Sequence, residues 1–126
     1  MFKAAILTKL KKIELQDFLE PKELRDDQVL VKINYTGICG SQIMEYLGNR
    51  GKDKFLPHAF GHEATGKVLA IGNKVRKVSV KDEVILSWIK GKGLDYGGFK
   101  LLNTKNQKIN FGPISTFSSA ALWSAS

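Results

Sequence analysis

The sequence predicts a mostly-β domain, a barrel or sandwich, on three observations. Short apolar or alternating runs rich in β-branched residues recur along the chain, glycine- and proline-marked turns separate them, and one stretch alone reads as a helix. With 126 residues there is room for one domain with a real core, and 43% hydrophobic against 25% charged residues excludes a disordered chain. No stretch approaches a membrane span. Lys3 and Lys9 leave the apolar start too short for a signal peptide, and one cysteine forms no internal disulfide, so a cytoplasmic location is expected.

In chain order, Phe2 to Thr8 and Ile13 to Phe18 flank a Lys-rich turn and read as a first hairpin. Pro21 and the charges from Glu20 to Asp27 break it, and Val29 to Tyr35 has the β-branched content of a half-buried strand. Gln42 to Leu47 is the helix, with Ser41 placed to cap its start and Gly48 its end. Asn49 to Phe55 is polar and reads as an exposed loop. Thr65 to Ile71 is a strand, Gly72-Asn73 a hairpin turn, and Val80 to Ile89 the returning strand. Gly91 to Gly98 invites comparison with the dinucleotide fingerprint. Tyr96 stands where the third glycine belongs and no amphipathic helix follows, so it is a loop, and Asn103 to Lys108 is turn material. Trp88 and Trp123 read as packing groups.

The net charge of +8 lies beyond position 27, where fourteen basic residues face six acidic ones. No aromatic ladder or recognition helix accompanies these lysines, which argues for solvated strand edges over a nucleic-acid stripe.

The chemistry concentrates in Gly61-His62-Glu63-Ala64-Thr65-Gly66-Lys67-Val68. As a phosphate loop it fails, because Val68 has no hydroxyl for Mg²⁺ and Glu63 would repel phosphate. As a metal site, His62 is a ligand and Glu63 a ligand or an outer support, with a thiolate to come from elsewhere. The single cysteine lies 23 positions upstream, in Gly37-Ile38-Cys39-Gly40-Ser41-Gln42. A lone cysteine after a strand is most often a small buried hydrophobe; His62, Glu63 and the flanking glycines make ligation the better reading here. His58 tempts a zincin reading, but H-x-x-x-H-E is not H-E-x-x-H and Pro57 argues against a helix, so His58 is read as a surface or pocket-edge residue.

G-I-C-G-S followed by L-P-x-x-x-G-H-E-x-x-G-x-V resembles the catalytic-zinc half of the zinc-containing alcohol dehydrogenases, members of the medium-chain dehydrogenase/reductase superfamily. The resemblance implies a GroES-like, partly open β-barrel over residues 1–117, with 118–126 a tail and the nucleotide-binding domain absent. It implies Cys39 and His62 as ligands of one catalytic Zn²⁺, Glu63 as a further ligand or catalytic support, and Ser41 as relay of the substrate proton. It further implies a small alcohol or aldehyde substrate, NAD(P) as hydride partner in a full-length enzyme, homo-oligomers of that enzyme, and neither nucleic acid nor membrane as partner. Zinc acts there as a Lewis acid while hydride passes to the nicotinamide.

The chain departs from the family pattern at three points. Gln42 stands where an Asp commonly supports the zinc-bound histidine, the four-Cys structural-zinc lobe is missing, and no nucleotide-binding domain or third strong zinc ligand follows, Ser119-Ala120 standing where an acid and an aromatic residue are usual. The 126 residues alone are accordingly expected to bind zinc weakly, to bind no NAD(P) and to lack dehydrogenase activity. Two other readings stand beside this one: a metal-free GroES-like binding or oligomerisation module, and a basic nucleic-acid binder, whose affinity would fall steeply with salt.

Overall fold

A computed structural model describes residues 1–21, 23–49, 51–87, 99–112 and 115–124, with the side chains of 99, 112 and 120–124 left aside. The order is β1 (Phe2–Lys9), β2 (Lys12–Phe18), β3 (Gln28–Thr36), α1 (Gly40–Leu47), β4 (His58–Ala59), β5 (Ala64–Ile71), β6 (Glu83–Leu86), β7 (Phe99–Leu102), β8 (Lys108–Gly112) and β9 (Ala120–Ser124). The mostly-β class expected from the sequence is the one observed, as two curled sheets ordered β2-β1-β4-β8-β7 and β6-β5-β3-β9. The fingerprint-like loop 91–98 and Trp88 fall outside the described residues, as does the Trp123 side chain.

Alternation sets the inward faces. Along β5, Ala64, Gly66 and Val68 are buried while Thr65, Lys67 and Leu69 face out, the period of two that a half-buried strand requires. Val29, Val31, Ala64, Val68, Val75 and Leu86 form the core of this sheet. The other core is built on Phe2, Ile6, Phe18, Ile109 and Phe111. Phe18 packs edge-on to Phe111 at 5.0 Å and stacks with Phe2 at 5.5 Å between ring centroids.

Several boundaries move. β5 and β6 pair antiparallel as expected, but Gly72-Asn73 is not a two-residue hairpin turn: residues 72–82 form a longer loop, in which Lys81 N–H donates to Val68 O and Val68 N–H to Asp82 O. Gly72 is buried, and a Cβ there would lie 2.2 Å from Arg25 O, so the glycine is needed for close approach of two backbones. The segment 118–126, expected as a tail, supplies β9, which pairs with β3 from Gln28↔Ser124 to Lys32↔Ala120. Asn103 to Gln107 is the turn between β7 and β8, with Asn106 at φ 64°.

Candidate metal centre

The site is assembled where β3 ends and β5 begins. Gly37 N–H donates to Glu63 O (2.8 Å), and Thr36 Oγ1 donates to the same carbonyl (3.0 Å). These bonds clamp the segment carrying Cys39 to the segment carrying His62 and Glu63. A Cβ at Gly37 would lie 2.9 Å from Glu63 Oε2, so the glycine leaves room for that carboxylate. Behind the His, Thr116 and Phe117 donate backbone N–H to Gly61 O (3.2 Å) and Phe60 O (3.1 Å). Gly61 has φ 96°, and a Cβ there would lie 2.6 Å from both Phe117 Cδ1 and Thr116 Oγ1. Gly61→Ala is therefore expected to destabilise the fold by about 1–3 kcal/mol through overpacking and left-handed strain, read as a lower urea midpoint.

Helix α1 presents the remaining groups. Its N-cap is Cys39, not Ser41, because the Cys39 backbone is extended (φ −97°, ψ 156°) and its N–H donates to Gln42 Oε1 (2.8 Å). Gly48 ends the helix in the left-handed conformation at φ 77°, as the sequence predicts. Lys11 N–H donates to Tyr46 O (2.9 Å), tying the helix to the tip of the first hairpin.

Cys39, His62 and Glu63 each offer a ligand atom, and the three atoms lie within 4.8 Å of one another. A thiolate, an imidazole and a carboxylate at that spacing fit zinc, whose ligands around a tetrahedral ion stand about 3.5 Å apart, after small side-chain shifts. The Cys39 thiol is held below its ordinary pKa, first by the Ser41 backbone N–H and then by its hydroxyl, against opposition from desolvation and, after it, the Glu63 charge. A thiol so placed yields the thiolate, the ligating form, at lower pH.

Gln42, buried at 3% exposure, does more than replace a carboxylate. Its Oε1 is taken by Cys39 N–H, and its Nε2 lies 3.2 Å from Ser41 Oγ and 2.7 Å from His62 Nδ1. Donation to Nδ1 puts the proton of a neutral His62 ring on Nε2, so ligation through Nε2 requires the Gln42 amide to give up that bond and Nδ1 to take the proton. Gln42→Glu keeps the length and replaces that donor by an acceptor, so Nδ1 carries the proton and Nε2 is freed. Zinc affinity, measured by chelator competition, is expected to rise about 10-fold or more in this variant.

His58 is placed differently from expectation. It is 8% exposed within β4, paired to Leu7 of β1 and Asn110 of β8, because the short strand lies between those two. Its ring contacts Asp53 and Glu45, a cluster for which the sequence carried a signal only in the polarity of the preceding loop.

The family description of the alcohol dehydrogenase GroES-like domain matches residues 25–114. The chain belongs to that family. It is 46% identical over 66 residues to the D-arabitol-phosphate dehydrogenase of Enterococcus avium, covering 52% of this chain and 18% of that one. It is 38% identical over 88 residues to the D-xylulose reductase of Morganella morganii, covering 68% and 26%. The crystal structure of an alcohol dehydrogenase zinc-binding domain protein from Burkholderia ambifaria shares the fold, with a TM-score of 0.73 at 21% identity over 98% of this chain and 40% of that one. The chain thus spans about a fifth to a quarter of these curated relatives.

Proposed function

We propose that the chain is the zinc-site domain of a zinc-dependent alcohol dehydrogenase acting on a small alcohol or polyol with NAD(P). The observation that supports this most is the convergence of Cys39, His62 and Glu63, on a family-matched barrel, with the Cys39 thiol already depressed. In this reading Cys39 and His62 hold the ion and Glu63 is the third ligand, while the polyol phosphate and the ketose named for the relatives indicate the substrate class. Bound there, zinc supplies Lewis-acid polarisation of an alcohol oxygen. The residues do the rest. The Gly37 and Thr36 bonds hold Glu63 against the site, Gln42 orients the His62 ring, and Ser41 Oγ, beside the thiol and within reach of Gln42, passes the substrate proton toward solvent.

The cellular setting proposed is the cytoplasm, with homo-oligomers of the full-length enzyme. Among the described residues no helix is long and apolar enough to cross a membrane. The 126-residue chain by itself holds no βαβ unit for a nicotinamide among its described residues. It is therefore proposed to bind zinc weakly, to bind no NAD(P) and not to turn over. The test is chelator competition for zinc with the wild-type chain and Cys39→Ser, followed by NAD(P)H absorbance with a panel of alcohols and polyols. No zinc binding by the wild-type chain beyond that of Cys39→Ser overturns the zinc-site assignment. Turnover that disappears in Cys39→Ser overturns the claim that this domain is inactive alone.

A further inference from the structure

One helix serves two imidazoles. Gln42 of α1 reaches His62, and Glu45, three residues on, reaches His58. Glu45, Asp53 and His58 each offer a ligand atom, and the three atoms lie within 4.8 Å of one another. We propose that they form a second divalent-cation site, distinct from the Cys39 site, that takes zinc or manganese through His58 Nε2 and the two carboxylates, with water completing the sphere.

The tautomer carries the argument. His58 Nδ1 lies 3.0 Å from Ala59 O, and a carbonyl only accepts, so Nδ1 bears the proton. Nε2 is then the lone-pair nitrogen of the neutral ring, yet it faces Asp53 Oδ2 at 2.6 Å and Glu45 Oε2 at 3.9 Å. Three acceptors pointed at one another need either a second ring proton or a metal cation among them. A second ring proton satisfies Asp53 and leaves the cluster with a net charge of −1 and a half-buried Glu45 carboxylate that makes no hydrogen bond among the described residues. A divalent ion with a neutral ring brings the net charge to zero and uses all three groups.

The supporting bonds of a metal site are already in place. Ala59 O orients the imidazole, and Phe55 N–H holds Asp53 Oδ1 at 3.0 Å, which turns Oδ2 toward the ring. Ligand atoms around a tetrahedral ion with bonds of about 2.0–2.2 Å stand about 3.3 Å apart. The 2.6 Å contact would open and the 3.9 Å contact close, each by less than an ångström. The ligands come from α1, the loop before β4 and β4 itself, so the ion would fasten that loop to the barrel beside the first site.

The test uses the metal-stripped 126-residue chain carrying Cys39→Ser, which removes the thiolate site. Manganese binding is read from the loss of the free-ion electron paramagnetic resonance signal, and zinc binding by chelator competition. One ion per chain is expected. Asp53→Asn should abolish binding, and Glu45→Gln, which leaves the His58–Asp53 contact intact and the circular dichroism unchanged, should weaken it about 10-fold or more. Zinc should also leave His58 as the neutral Nδ1–H tautomer in ¹⁵N spectra. No ion retained by Cys39→Ser, equal binding in Glu45→Gln, or a His58 ring that stays doubly protonated with zinc present would each overturn the site in favour of a simple imidazolium–carboxylate pair.

Discussion

Cys39→Ser is expected to lower zinc affinity at the Cys39–His62–Glu63 centre by more than the roughly 10–100-fold that loss of an outer supporting partner costs a metal site. The substitution replaces a thiolate by a neutral hydroxyl, a far poorer ligand for a borderline-soft ion, and leaves one imidazole and one carboxylate to hold it. The effect should grow with pH from acid toward neutral. The Cys39 thiol is depressed, so wild-type zinc binding strengthens as pH rises through that lowered value and the competing proton leaves. Serine has no such titration. Chelator competition across a pH series checks both points. Equal zinc affinity in wild type and Cys39→Ser at neutral pH would remove Cys39 from the ligand set.

Phe18→Ala is expected to lower the stability of the fold by about 3–5 kcal/mol. Phe18 is 0% exposed at the end of β2 and lies between Phe2 and Phe111 at centroid distances of 5.5 and 5.0 Å. Truncation removes a whole ring from the transfer balance and leaves a cavity whose walls are strands from both ends of the chain, β1 and β8, which cannot collapse inward without breaking their pairing. A domain of this size has about 5–15 kcal/mol in total, so the variant should sit close to unfolding. Urea denaturation followed by circular dichroism gives the number. A loss under about 1 kcal/mol would show that this cluster is not the mechanical centre of the first sheet.

Local pattern was enough for the longer elements and for the components of the first site. β1, β2, β3, β5 and α1 are legible because alternation, β-branched content and the Gly48 stop act over a few neighbouring residues. Cys39 and His62 are legible because thiolate and imidazole are scarce in this chain, Cys39 is flanked by Gly37 and Gly40, and His62 stands between Gly61 and Glu63. What lay beyond reach depends on contacts between distant positions. β4 is two residues long and exists only because β1 and β8 offer it partners on either side. β9 carries no pattern that distinguishes it from a tail until β3 supplies its ladder. Ser41 lost the cap to Cys39 because Gln42 folds its amide back onto the Cys39 N–H, a choice made by the burial of Gln42 against His62.

The sequence by itself determined the mostly-β class, the family and the donor types of one candidate metal centre, since these follow from residue identity and short-range periodicity. Only the tertiary structure decided that Glu63 stands close enough to join Cys39 and His62, and that His58 is buried with two carboxylates aimed at it. Both facts turn on distances between strands, helix and loop that no local spacing encodes, and at these separations about one ångström distinguishes a ligand from a neighbour.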